Sequence, residues 1–300
     1  MSTLPDAPSS ALISAEALYK RLQGPSARIR LVDATYFVPP SPRNARQEFE
    51  TCHLPGAVFF DIDAIAAPET DLPHMLPDTA DFAEKVSALG IGNDDWVVAY
   101  DSHGLMSAAR AWWMFRVFGH DQVQVLDGGL PRWLALDYPT ASGWPTPEPA
   151  CFQANFRPEL VRNRQEVSAL LSRGEASRIV DARGAARFRG EQPEPRAGLR
   201  SGHIPGSRNI PWESLVTGEF RQMLPAEKLQ QAFESAKVPL SEPLIASCGS
   251  GVTACVAALA LFELGKTDVA VYDGSWAEWG SESSGCPVAT GTTLQAKSAG

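Results

Sequence analysis

Apolar positions along this chain switch repeatedly between helical spacing and short continuous runs. Ala11 to Gln23 carries the helical spacing and Gly24 stops it. Arg28 to Asp33 is a short apolar run of strand length. Asp81 to Leu89 is helical again and ends at Gly90, Trp96 to Tyr100 reads as a buried strand, and Ser107 to Phe118 as a helix with Gly119 at its C′ position. Gln122 to Leu126 is a further strand. The same order then returns: helix Arg164 to Ser172, strand Arg178 to Asp181, helix Ala226 to Ala236, strand Pro243 to Ser247, helix Thr253 to Leu264 followed by Gly265, and strand Asp268 to Tyr272. Such alternation predicts an α/β fold, a mostly parallel sheet flanked by helices. Ligands in such sheets bind beyond the carboxyl ends of strands.

The two halves match in landmarks as well as in pattern. Leu31-Val32-Asp33-Ala34 answers Ile179-Val180-Asp181-Ala182, and His53-Leu54-Pro55-Gly56 answers His203-Ile204-Pro205-Gly206. The strand ending at Asp101 answers the strand ending at Cys248. Leu126-Asp127-Gly128-Gly129 answers Tyr272-Asp273-Gly274-Ser275, and Trp133 answers Trp279. The offset stays within about 146 to 150 residues throughout, the mark of a tandem duplication. Trp144-Pro145-Thr146-Pro147-Glu148-Pro149 favours extended backbone and suits a linker. The expected division is a first domain over 1–142, a linker over 143–157, a second domain over 158–290 and a tail over 291–300.

Composition narrows the partners. The net charge of -9 sets the chain against nucleic acid and anionic membrane, and no apolar run is long enough to cross a bilayer. The start, MSTLPDAPSS, lacks the basic and apolar stretches of a secretory signal and the arginines of a transit peptide. The five cysteines, Cys52, Cys151, Cys248, Cys255 and Cys286, include no C-x-x-C pair, so neither a disulfide framework nor a structural zinc site is suggested. A reducing, cytoplasmic setting is the expectation.

Of these thiols, Cys248 has the context of a reactive one. Leu244-Ile245-Ala246-Ser247-Cys248-Gly249-Ser250-Gly251-Val252-Thr253-Ala254 runs from strand through a tight loop into a helix. Two glycines permit left-handed backbone, so successive N–H groups can converge into an anion-binding nest, and the helix adds its positive end. That surrounding favours a thiolate, and it suits a persulfide anion equally. The bland alternative is a buried core cysteine at a strand end. Cys255, two helical turns on, reads as core packing or as a resolving thiol. Cys52, Cys151 and Cys286 have no activating context. A cysteine phosphatase needs arginine six positions after the cysteine, where this chain has Ala254.

On these motifs the chain resembles the tandem-domain rhodanese family, from about Ser14 to Pro287, and within it the 3-mercaptopyruvate sulfurtransferases. Cys248-Gly249-Ser250-Gly251-Val252-Thr253-Ala254 looks like the mercaptopyruvate-type loop, whereas thiosulfate-using relatives typically carry basic residues after the cysteine. The resemblance implies two tandem rhodanese-like domains, the first inactive, as Asp101 at the cysteine position agrees. It implies a persulfide on Cys248 held by the loop residues Gly249, Gly251, Val252 and Thr253. Arg187 and Arg196, in Asp181-Ala182-Arg183-Gly184-Ala185-Ala186-Arg187 to Glu194-Pro195-Arg196, match the family's substrate-binding arginines. Read alone, that stretch is a solvated basic loop, and Arg183, next to a strand-end aspartate, reads as structural. Phe59-Phe60-Asp61-Ile62-Asp63 and His74-Met75-Leu76-Pro77 resemble the segment whose aspartate and histidine work with the loop serine, here Asp63, His74 and Ser250. His53 and His203 recur in both halves and read as structural. Trp276, Glu278 and Trp279 are expected to shape the pocket wall. The implied activity moves sulfane sulfur from 3-mercaptopyruvate to a thiol, such as thioredoxin or a small thiol, or to cyanide, and releases pyruvate without a metal or organic cofactor. Two readings stay open beside it: a thiosulfate:cyanide sulfurtransferase, and a non-catalytic binding or redox-sensing module.

Overall fold

A computed structural model describes residues 9–24 and 28–292; the first eight residues and most of the expected 291–300 tail lie outside the described residues. The chain divides into two compact units. One holds Met1–Pro158 together with Val216–Leu224, the other Glu159–Leu215 with Pro225–Gly300.

The first unit runs β1 (Leu12–Ser14), α1 (Ala15–Leu22), β2 (Ile29–Asp33), α2 (Ala45–Thr51), β3 (Val58–Phe59), α3 (Ile62–Ile65), α4 (Thr79–Ala88), β4 (Trp96–Tyr100), α5 (Ala108–Val117), β5 (Val123–Asp127) and α6 (Gly129–Ala135). Its sheet has the order β1-β5-β4-β2-β3, parallel at every pairing. The second unit runs β6 (Val161–Arg162), α7 (Arg164–Ser172), β7 (Ile179–Asp181), α8 (Ala185–Arg189) and β8 (Arg208–Asn209). After β9 (Val216–Thr217) and β10 (Gln222–Met223) it continues with α9 (Ala226–Ser235), β11 (Ile245–Ser247), α10 (Ala254–Glu263), β12 (Ala270–Tyr272) and α11 (Ser275–Trp279). Its parallel sheet, β6-β12-β11-β7-β8, repeats the first unit's order element for element. Both halves of the duplication therefore fold as the α/β alternation predicts.

Burial explains which elements sit where. Every residue of α5 is buried, as are Ala254 to Leu261 of α10. Of these helices, α10 is apolar over that stretch and α5 is apolar apart from the buried Arg110 and Arg116, whereas α1, α4, α7 and α9 bury one face only. The strands they follow, β4 and β11, are central, flanked by β5 and β2 or by β12 and β7. The chain leaves β2 toward one edge and β4 toward the other, so the strand order reverses between them, and likewise between β7 and β11. Loops diverge at that point and leave a crevice at the carboxyl ends. Asp101 and Cys248 stand there.

The structure corrects several element boundaries. The helix expected from Ala11 to Gln23 is a strand and a helix. Ser14 Oγ accepts from Ala17 N at 3.1 Å and caps α1, while Leu12 and Ile13 pair with Val125 and Leu126. The alternation of Leu12 and Ile13 is too short to signal a strand without its partner. Two-residue strands after each His-x-Pro-Gly turn, and the short helices α2, α3, α6, α8 and α11, are too brief to show in the apolar pattern. The β9–β10 hairpin is antiparallel and packs in the first unit, although its sequence lies in the second half. Met223 N donates to Asp127 Oδ1 at 2.8 Å, and the Phe220 carbonyl lies so near Gly104 that any Cβ there would overlap it.

Candidate active site

In the second unit Ser247 closes β11 in register with Asp181, and its carbonyl accepts from Ala182 N at 2.8 Å. The next residues are fixed by the turn into α11. Trp276 N donates to the Cys248 carbonyl at 3.0 Å and Ala277 N to the Gly249 carbonyl at 2.8 Å. Cys248 N donates to Ser275 Oγ at 3.2 Å, and that hydroxyl donates on to Tyr272 O at 2.8 Å. The amide of residue 248 therefore faces Ser275 and is not one of the converging donors that the sequence suggested. Beyond it, the amides of Gly249, Ser250, Val252 and Thr253 donate to no protein acceptor among the described residues. Gly251 takes φ +77, the left-handed turn that reverses the loop. Gly249 does not, so one glycine, not two, supplies that conformation. Thr253 caps α10 through its backbone alone, with no side-chain cap. Cys248 is 2% exposed and Ser250 8%. Cys255 donates its thiol to the Gly251 carbonyl at 3.2 Å, a structural duty in line with core packing.

The first unit has the same loop with an internal anion in it. Asp101 Oδ1 accepts from His103 N at 2.8 Å, and Oδ2 accepts from Met106 N at 2.9 Å and Ala108 N at 2.8 Å. Its carbonyl accepts from Leu130 N at 3.0 Å, as the Cys248 carbonyl does from Trp276 N. Counted from the strand end and from the helix start, the three donors correspond to the amides of Ser250, Val252 and Ala254. A strand–loop–helix turn of this build thus converges backbone N–H groups on a negative charge.

Arginine approaches the cysteine loop from α8. Arg187 Nε lies 3.3 Å from Glu194 Oε1, with Nη2 on the other carboxylate oxygen. A Cβ on Gly249 would come within 3.1 Å of Arg187 Nη2. The bare glycine is what leaves that position open. Glu194 also accepts from Arg183 Nη1 at 2.8 Å, and Arg183 Nη2 pairs with Asp181 at 2.7 Å while its guanidinium lies 4.2 Å over Trp276. Burial opposes the Arg183 charge, but Asp181 and Glu194 outweigh it and hold its pKa above the ordinary value. Arg183 is structural, as its position beside Asp181 suggested. Glu194 and Ser275 are the contributors that sequence reading missed. Glu194 stands inside the arginine-rich stretch, and its one signal is that it is one of two carboxylates, with Glu191, among five arginines. Arg196, two residues further, is half-buried in the same loop.

In the first unit His74 and Asp63 come together. His74 Nδ1 lies 2.7 Å from Asp63 Oδ1, with His74 buried and Asp63 open. His74 has φ 60, and Arg110, itself fully buried, donates to its carbonyl. The Tyr36 ring meets the imidazole edge-on at 4.7 Å. His53 and His203 share another role: each stacks on a phenylalanine, Phe49 at 4.2 Å or Phe188 at 3.8 Å, and bonds that residue's carbonyl through Nδ1.

Comparison with known proteins agrees with this geometry. The Rhodanese-like domain family matches residues 14–136 and again 163–282. The mitochondrial thiosulfate/3-mercaptopyruvate sulfurtransferase 1 of Arabidopsis thaliana is 45% identical over 295 residues, covering 91% of this chain and 77% of its own. The 3-mercaptopyruvate sulfurtransferase of Rattus norvegicus is 46% identical over 90% of this chain and 91% of its own. The rat thiosulfate sulfurtransferase is also 46% identical, over 88% and 89%. Among solved structures, SseA from Escherichia coli, a 3-mercaptopyruvate sulfotransferase, superposes with TM-score 0.80 at 40% identity, over 89% of this chain and 99% of that one. The sub-stoichiometric sulfur transferase subunit of yeast mitochondrial complex I gives TM-score 0.83 at 36% identity, over 94% and 100%. These last relatives correct the cytoplasmic expectation: the Arabidopsis protein and the yeast subunit are both mitochondrial. Unpaired cysteines report a reducing environment rather than one compartment, so cysteine usage was an inadequate guide.

Proposed function

The chain belongs to the rhodanese family, and on that premise we propose that it is a sulfurtransferase that takes sulfur from 3-mercaptopyruvate onto Cys248 and releases pyruvate. The observation that carries the donor assignment is the Arg187 guanidinium against the bare Gly249 backbone. Thiosulfate, a dianion, gains from cations within the loop itself. This loop has none, and Arg187 lies beside it as a planar fork suited to one carboxylate and its adjacent carbonyl oxygen. Arg196 is assigned the second contact to that group.

The Cys248 thiolate attacks the donor sulfur, a Cys–S to S bond forms, and the carbon–sulfur bond breaks with its electron pair left on carbon as the enolate. The proton of the donor thiol moves to that carbon, giving pyruvate and a persulfide anion, so atoms and charge balance. Ser250, His74 and Asp63 are assigned to that proton transfer, the carboxylate orienting the imidazole as in hydrolase triads. The amides of Gly249, Ser250, Val252 and Thr253, with Gly251 shaping the turn, hold the persulfide charge. A thiol acceptor, thioredoxin or a small thiol, or cyanide, then attacks the outer sulfur and restores the thiolate, which is covalent catalysis in two half-reactions. In this reading 158–290 is the catalytic domain and 1–142 the inactive one.

Mass spectrometry after exposure to 3-mercaptopyruvate should find one added sulfur on the Cys248 peptide, and Cys248→Ser should make no pyruvate. Pyruvate release by that variant would refute the assignment. Because a thiosulfate sulfurtransferase is equally similar in sequence, donors are compared side by side. Faster persulfide formation from thiosulfate would transfer the assignment to that donor.

A further inference from the structure

The first unit contains a cavity of about 560 Å3 at the mouth of its own loop, lined among others by Arg43, Gln47, Cys52, Ser102, Leu130 and Leu134. Ser102 follows Asp101 as Gly249 follows Cys248. Arg43 Nε bonds Glu48 Oε1 at 2.7 Å, Nη2 bonds the other oxygen, and the same Nη2 lies 3.4 Å from Ser102 Oγ. The Phe37 ring, 4.2 Å from the guanidinium, supports it from one face. Arg187, Glu194 and Gly249 stand in the same relation in the second unit, at about the repeat offset. The duplication has therefore kept the arginine–glutamate clamp on both loops, while the amide cradle of the first is filled by Asp101.

We propose that this first-unit cavity is a second, non-catalytic site for small 2-oxo carboxylates, the chemical class of the donor and of its product. The inference rests on the reading of Arg187 as a carboxylate clamp. Of the five N–H groups of a guanidinium, Glu48 engages two and Ser102 Oγ a third, and the two on Nη1, with the Ser102 hydroxyl and the Gln47 amide, offer donors to a carboxylate and its neighbouring carbonyl. Leu130 and Leu134 form an apolar wall for the carbon chain. Asp101 prevents turnover, because the position a sulfur nucleophile would take already holds a carboxylate bonded by three amides. Ligand bound here is held and released unchanged.

Pyruvate is the probe, since it carries both recognition groups and no transferable sulfur. Methyl NMR of the full-length protein reads the sites separately, through Leu130 and Leu134 in the first unit and Val252 in the second, against sodium chloride at equal ionic strength. Pyruvate should shift Leu130 and Leu134 to saturation. Arg43→Gln should weaken that response about tenfold, the loss of a charge-assisted pair, and leave the Val252 response in place. Ser102→Glu, which puts a carboxylate into the cavity, should abolish the Leu130 and Leu134 response without touching the arginine. Silence at Leu130 and Leu134, or an equal response in both variants, would overturn the proposal. If those two leucines respond while Val252 is silent, the second site stands and the donor reading of Arg187 fails.

Discussion

Asp101 and Cys248 close equivalent central strands, and each hands its carbonyl to the amide that opens the next helix region, Leu130 for one and Trp276 for the other. They differ in what their side chains ask of the loop. Asp101 draws three amides onto its carboxylate. Cys248 leaves the corresponding amides available to whatever anion its sulfur carries. One duplicated turn has become a self-satisfied structural joint in one copy and a receptive one in the other.

That contrast has a stability consequence. Asp101→Ala strands two buried N–H groups and one part-buried one, each buried one worth roughly 1–3 kcal/mol when left without an acceptor, so urea unfolding of the first unit should lose on the order of 3 kcal/mol. Asp101→Asn keeps the amide carbonyl as acceptor and should fall between. Cys248→Ala removes a side chain from a loop in which the amides of Gly249, Ser250, Val252 and Thr253 already lack protein acceptors among the described residues, and should cost less than Asp101→Ala. A reversed order would show that the Asp101 bonds contribute little.

Gly249 controls the reach of Arg187. Gly249→Ala brings a methyl against the tip of a flexible side chain, which can swing aside, so KM for 3-mercaptopyruvate should rise by about threefold with kcat nearly kept. Gly249→Lys displaces the guanidinium and adds a loop cation. Steady-state assays should then show KM for 3-mercaptopyruvate up by about tenfold or more, and a relative gain for thiosulfate. Unchanged KM in both variants would detach Arg187 from donor binding.

A buried carboxylate in the first unit makes stability depend on pH. Burial pushes Asp33 up to about 6 from 3.8, with the Asp101 charge adding to the rise and hydrogen bonds from Thr35 opposing it. The native state then holds its proton more tightly than the unfolded chain. The associated stability is complete below about 3.8 and is lost as pH climbs through about 6. Asp33→Asn keeps the acceptor for Thr35 N, bonded at 2.9 Å, and cannot ionise. Relative to the parent, its unfolding free energy should be better at pH 7.5 than at pH 4.5, by an amount on the order of 1–3 kcal/mol. A gap between the two proteins that stays constant over this range would mean Asp33 does not titrate there.

The duplication, the parallel sheets and the place of Cys248 were legible because they are written in period, landmark order and strand-end position. Helix Arg164–Ser172 and strand Trp96–Tyr100 fall at the boundaries the pattern predicts, since capping and burial are local signals there. β1 was hidden because three residues carry too little alternation, and its pairing with β5 lies more than a hundred positions away. The roles of Ser275 and Glu194 were hidden for a related reason. Neither neighbours the residue it serves in sequence, and Glu194 matters through two arginines that each had another apparent explanation. The Arg187 contact needed coordinates, whereas the absence of a side chain at 249 was visible from the start.

The β9–β10 hairpin gives the chain an unequal divisibility. A protease that nicked the proline-rich stretch near residue 147 would sever one covalent connection, yet Val216–Leu224 would remain seated among first-half residues. A gene fragment ending near residue 158 would lack that insert altogether, leaving Asp127 without the Met223 amide and Gly104 without the Phe220 carbonyl. The two repeats descend from one unit, but the first is no longer a stand-alone module: it borrows a suture from its sibling's reading frame.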